Sequence, residues 1–299
     1  MASRVSSLTL VATAMLLTAS AVLPAWQRGD ARQHQAIASV VDKNGKPIEG
    51  LTPADFVVRE DGTAREVLKV ETATAPMQIV FLVDTSSGMQ LLIPDLRKGL
   101  ESFAGILWSK SPDSEIALME YGERPNVVAD FSKSAEILDR GIKGLVEHNG
   151  SGAYLLQAII EAANLLKKKE ATRPVIVAFD NETSREFSNQ TYQQVEETLK
   201  KTNAVLWSIE LHALGGGMSD EVRNRNVVLG DVTTKSGGTR DTLIDRMGIQ
   251  GKFGEMADRL AAQYLITYGR PDRMIPPSKL EITVKRPGAQ VWAPHWTGQ

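Results

Sequence analysis

The chain has no cysteine, which excludes disulfides, thiol catalysis, Cys-ligated zinc and a lipoprotein anchor. Histidine is nearly as scarce. His34, His148, His212 and His295 lie far apart without metal-ligand spacing, so no histidine-rich metal site is expected. Neither sign of charge dominates: the net charge is −2, which offers no attraction for nucleic acid or an anionic membrane. No G-x-G-x-x-G, P-loop or G-x-S-x-G motif occurs. Long apolar runs are missing as well. The one at the start is well short of the ~20 residues a spanning helix needs.

That opening segment reads as a targeting signal, assigned to residues 1–25. Arg4 supplies the positive start, residues 8–17 the apolar stretch, and Ala19-Ser20-Ala21 a small-x-small cleavage pattern, with a second candidate after Ala25. The mature protein is expected to be exported, periplasmic or secreted, with no membrane span after cleavage. At 299 residues and 42% hydrophobic, the chain has enough apolar mass for a substantial core.

The most informative stretch is Gln-Ile-Val-Phe-Leu-Val-Asp-Thr-Ser-Ser-Gly, residues 78–88. Ile79, Val80, Phe81, Leu82 and Val83 lack the alternation of a half-exposed strand and suit one buried on both faces, as in the middle of a parallel sheet. The strand ends on Asp84, followed by small hydroxyl residues. A second continuous apolar strand, 174–179, ends on Asp180. In open α/β sheets, ligands bind outside the carboxyl ends of the strands.

Around these strands the pattern alternates. Leu92, Leu96, Leu100, Phe103 and Leu107 recur at helical spacing, with Pro94 suited to a first turn. Strands are expected at 115–121 and 126–130, helices at 134–145 and 155–166, then a helix at 192–199 and a strand at 204–209. Residues 212–219 are glycine-rich without a phosphate-binding pattern, and 227–235 read as helical. Another helix carries Met256 and Leu260 and passes into a strand at 264–268. Before the α/β region, short strands are expected at 36–41, 56–59 and 65–70, with a hairpin signal at Glu60-Asp61-Gly62. After it, 279–285 and 289–293 read as a β-hairpin turning at Arg286-Pro287-Gly288. The expected fold is α/β: a doubly wound, mostly parallel sheet over residues 76–268. A small β module is built from the N-terminal segment 26–75 and the C-terminal extension 269–299.

Asp84 and Asp180 put two carboxylates on one sheet edge, with Ser86 placed to share the crevice. Carboxylate and hydroxyl oxygens suit Mg²⁺ or Mn²⁺; the same residues also suit a helix N-cap. Val-Asp-Thr-Ser-Ser-Gly-Met after an apolar strand resembles the start of a von Willebrand factor type A (VWA) domain. The resemblance extends to a bacterial exported subgroup, through residues 50–62 (Gly-Leu-Thr-Pro-Ala-Asp-Phe-Val-Val-Arg-Glu-Asp-Gly) and 263–268 (Gln-Tyr-Leu-Ile-Thr-Tyr). It implies a Rossmann-like fold and a metal-ion-dependent adhesion site of Asp-x-Ser-x-Ser, a loop threonine and a later aspartate. Asp84, Ser86 and Asp180 match, whereas Gly88 stands at the second serine and Ala153 at the threonine. The site is therefore expected to be degenerate, holding Mg²⁺ or Mn²⁺ weakly or not at all. Ser151 and Glu182 are the nearest substitutes.

The expected function is a non-enzymatic module for adhesion or assembly that binds a protein partner with loops at the carboxyl edge. Met89, Gln90, Asn149, Tyr154, Asn181 and Arg185 are the candidates to line that surface. The alternatives are a metal-dependent phosphoryl transferase or hydrolase, and a purely structural envelope subunit. The enzyme reading wants a second acid two residues after Asp84, where Ser86 stands, and finds no histidine or lysine partner.

Overall fold

The structure, a computed structural model, describes residues 33–212, 219–270 and 277–297. The segment expected to be a signal, and most of the glycine-rich stretch, lie outside the described residues. The first strands are β1 (Gln33–Val41), β2 (Phe56–Glu60), β3 (Thr63–Arg65) and β4 (Val67–Thr72). There follow β5 (Gln78–Val83), α1 (Ile93–Lys110), β6 (Glu115–Glu120), β7 (Asn126–Ser132), α2 (Ala135–Gly144) and α3 (Leu155–Lys168). Next come β8 (Pro174–Asn181), α4 (Tyr192–Thr202), β9 (Val205–Leu211) and α5 (Asp220–Val227). A π turn (Val228–Val232) leads to α6 (Thr233–Ser236), β10 (Arg240–Leu243) and α7 (Ile249–Ala261). The last strands are β11 (Tyr264–Gly269), β12 (Leu280–Val284) and β13 (Gln290–Trp292).

Six strands form the main sheet in the order β10-β9-β8-β5-β6-β7, all parallel except the edge strand β7. Counted from β5, this is the doubly wound order in which the chain reverses its direction of growth between β5 and β8. Every residue of β5 is buried, because helices cover both faces. Ile79, Phe81 and Val83 pack with Leu96, Leu100 and Phe103 of α1 and Phe253 of α7. Val80 and Leu82 face the other way, onto Leu155, Ile159 and Ala162 of α3 and Leu199 of α4. Two covered faces explain the unbroken apolar run. Ser134 caps α2 as expected, its hydroxyl accepting from the Ile137 amide.

The flanks form two small antiparallel sheets, β13-β1-β11-β4 and β12-β2-β3, which share one apolar cluster including Val40, Phe56, Val58, Tyr264 and Ile266. The β2–β3 hairpin turns at Asp61 and Gly62, both at positive φ. The single strand expected at 65–70 is instead two, β3 and β4, which part at Glu66 and enter different sheets. The expected C-terminal hairpin does not form. β12 pairs with β2 and β13 with β1, so each strand completes a separate sheet begun at the other end of the chain. β11 likewise pairs with β1 and β4, outside the main sheet.

Arg173 ties the two layers of architecture together. Its Nη1 donates to the carbonyls of Ala73 and Ala75 at 2.9 and 2.8 Å, and its Nη2 to Gln263 Oε1 at 2.8 Å. No helix among the described residues is long and apolar enough to cross a membrane.

Candidate functional site at the carboxyl edge of the sheet

The register of the sheet brings the two predicted aspartates together. Val83 lies opposite Phe179 in the β5–β8 ladder, and Asp84 and Asp180 follow one position further, on either side of the switch point. Both are fully buried, as are Thr85 and Ser86. Asp84 Oδ1 accepts from the Ser86 amide at 2.8 Å, closing a tight turn after the strand. Ser86 Oγ donates to Ser184 Oγ at 3.1 Å. Burial raises the Asp84 carboxyl above its ordinary range, while the hydroxyls of Ser184 and Ser86 pull it down. Asp180 is pushed up to about 8, chiefly by burial; Arg225 pulls it down, and the carboxylates of Asp84, Glu210 and Glu186 push it further up.

Arg225 is the group that sequence reasoning missed. Helix α5 is polar almost throughout, and Arg225 is its one buried residue. Its guanidinium is fully enclosed with Nε 3.7 Å from Asp180 Oδ2. Nη1 and Nη2 donate to the carbonyls of Ser184 and Glu182 at 2.9 and 3.1 Å, gripping the loop that follows β8. One of two arginines in a polar helix, Arg225 carries no periodic signal that sets it apart from exposed Arg223; only the tertiary fold reveals that it points inward. Ser184 was missed because its place at the site depends on how that loop folds back.

The proposed substitutes for the absent ligands point elsewhere. Ser151 Oγ donates to the His148 carbonyl at 2.7 Å. Glu182 Oε2 pairs with His212 Nδ1 at 2.6 Å. Ala153 is fully buried, its amide donating to the Arg185 carbonyl and its carbonyl accepting from Phe187. Gly88 turns at φ +99° and donates its amide to Glu147 Oε1 at 2.7 Å.

Of the surface candidates, Gln90, Asn149 and Arg185 are exposed and Tyr154 is half-buried. Met89 and Asn181 are corrected: both are buried, with Asn181 Nδ2 resting on Met89 Sδ at 3.5 Å, so neither can line a surface. Met89 is turned in because it joins the apolar cluster under α1. Sequence reasoning overlooked the exposed apolar residues of the edge. Leu91 is 73% exposed, Ile244 89% and Met247 81%. They lie on two loops that Arg246 joins by donating to the Leu91 carbonyl at 2.8 Å and pairing with Asp95.

A doubly wound sheet with an Asp-x-Ser turn at its switch point defines a class of α/β domain, and comparison narrows it. Residues 79–182 match the family of the von Willebrand factor type A domain, so the chain contains a VWA domain. The fold resembles a von Willebrand factor type A protein from Catenulispora acidiphila: 11% identity, 90% of this chain and 75% of that one, TM-score 0.51. It also resembles proximal thread matrix protein 1 of the mussel byssus: 12% identity, 64% of this chain and 49% of that one, TM-score 0.50. At such identities the likeness is one of fold. No curated protein matches the chain.

The divalent ion implied by the family needs an oxygen-rich, near-octahedral shell. The residues present do not fit it. Two ligand positions are Gly88 and Ala153, and a guanidinium already sits within ion-pair distance of Asp180. Among the described residues no group of three or more His, Cys, Asp or Glu is arranged to hold a metal.

Proposed function

We propose that this chain is an exported, non-enzymatic binding module of the bacterial VWA type, with a degenerate adhesion site, which recognises a protein partner through loops at the carboxyl edge of its sheet. The observation that carries the reading is the set of large apolar side chains exposed there, Leu91, Ile244 and Met247, on loops held together by Arg246. Exposed apolar groups rimmed by polar residues mark surfaces for association, and Gln90, Asn149 and Arg185 supply the rim. Because Asp84 and Asp180 are enclosed, recognition proceeds by shape, hydrogen bonding and apolar contact, without a metal bridge to a partner carboxylate. The positively charged, then apolar, then small-residue start of the sequence supports export to the periplasm or beyond.

The phosphoryl-transfer alternative has less support. A nucleophilic Asp84 would have to meet substrate, yet it is fully buried beneath the loop it begins. The test is site-specific photo-crosslinking in the native host, with the photoreactive residue placed at position 91 or 244, and at Lys168 as a control on the exposed end of α3. Discrete adducts from 91 and 244, absent from 168 and retained in chelator, are expected. Adducts from all three positions alike, or from none, would remove the edge as a binding surface.

A further inference from the structure

We propose that the Arg225 guanidinium is a resident cation that takes the place of the divalent ion at this edge, supplying from within the chain one positive charge to the buried Asp84–Asp180 pair. The inference holds whether or not the edge binds a partner. Three observations carry it. Asp84 and Asp180 are fully buried neighbours at the ends of adjacent parallel strands, and Asp84 Oδ2 and both Asp180 carboxylate oxygens lack a hydrogen-bond partner among the described residues. Two enclosed carboxyls at one site cannot both ionise in a poorly polarisable interior, and the single charge the pair can carry calls for one cation beside it. A fully buried cation beside Asp180 is Arg225, whose Nε also lacks a hydrogen-bond partner among the described residues and stands 3.7 Å from Asp180 Oδ2.

The third observation is how the cation is held. Its two terminal nitrogens bond the carbonyls of Glu182 and Ser184, so the guanidinium both faces Asp180 and ties down the 181–184 loop. That loop brings the Ser184 hydroxyl onto Ser86 Oγ, a hydroxyl the family uses as a metal ligand. A planar fork with five donors suits this double duty, whereas a lysine ammonium is a point charge. The conformation of the edge loops is thereby fixed without an external ion.

The test is a Mn²⁺ titration of the full chain, followed by electron paramagnetic resonance and by thermal unfolding, for wild type, Arg225→Met and the double variant Arg225→Met/Asp84→Asn. Wild type is expected to leave Mn²⁺ free at millimolar concentration and to keep the same Tm in chelator. Arg225→Met is expected to lose roughly 5–15 °C of Tm, as a buried pair is broken. It should regain part of that loss as Mn²⁺ binds, and the double variant should regain none. Saturable Mn²⁺ binding by wild type that Asp84→Asn abolishes overturns the proposal. So does an Arg225→Met protein whose Tm is unchanged or indifferent to Mn²⁺. Should Arg225→Met not fold, the wild-type titration and Arg225→Lys decide the matter. Arg225→Lys is expected to fold with a lowered Tm and no Mn²⁺ binding, and Mn²⁺ binding by either protein overturns the proposal.

Discussion

Glu60 is fully buried between the two small sheets, with Arg65 Nε on Oε2 at 2.9 Å and Tyr268 Oη and Arg270 Nε on Oε1 at 3.0 and 2.7 Å. Burial alone would raise its carboxyl, but the hydrogen bonds from Arg270, Tyr268 and Arg65 outweigh burial and hold it below its ordinary 4.5. A carboxyl depressed by folding adds stability above its unfolded pKa and loses that stability as pH falls through the folded one. Glu60→Gln is therefore expected to cost about 3 kcal/mol near neutral pH, by stranding two guanidinium groups. The gap in Tm from wild type should close as pH drops below about 4. A gap that stays constant on acidification would show that Glu60 acts by shape and not by charge. Gly122 answers to a different constraint, since a Cβ there would lie 2.5 Å from the Thr85 carbonyl carbon, in the turn that begins at Asp84. Gly122→Ala is expected to lose roughly 1–3 kcal/mol in urea denaturation through overpacking. A loss within measurement error would mean that the turn yields freely.

The element that couples core to flanks is the segment before β8. Arg173 is buried without a carboxylate partner among the described residues and holds four backbone or amide oxygens drawn from residues 73, 75, 260 and 263. Desolvation lowers its pKa to about 10, and it remains charged at neutral pH. Arg173→Met is expected to destabilise by roughly 2–4 kcal/mol, the loss of charge-assisted hydrogen bonds to otherwise buried acceptors. Amide exchange should quicken first at residues 73–76 and 263–266, and uniform quickening along the chain would refute a local role for the clamp. Elements with strong local signals, such as β5, β8, α1 and α3, were legible in the sequence because burial on one or both faces writes itself into the order of apolar residues. β10 was not. Its four residues are Arg-Asp-Thr-Leu, and it is a strand because Arg240 pairs with Glu210 and Asp241 with Arg259 beside the β9 ladder. The C-terminal hairpin was misread for a related reason. A turn such as Arg286-Pro287-Gly288 says that the chain reverses, not which strands it will pair with.

At the scale of the whole molecule, the described residues before β5 and after α7 form β structure beside a doubly wound domain, away from the carboxyl edge of the main sheet. The strand register was enough to place Asp84 beside Asp180, so half of the site could be read before the fold was known. The other half could not. Arg225 and Ser184 reach the site only through tertiary packing, and the exposed Leu91, Ile244 and Met247 look like core residues in a one-dimensional pattern. On the reading proposed, the sheet edge carries a buried guanidinium beside its paired acids and exposed apolar side chains within a polar rim. The most direct measurement is an experimental structure from crystals soaked in manganese, read by anomalous scattering at the Mn²⁺ edge. The expected map has no anomalous peak between Asp84 and Asp180, with the Arg225 guanidinium at ion-pair distance from Asp180. A peak at about 2.1 Å from both carboxylates, with Arg225 displaced, would contradict it.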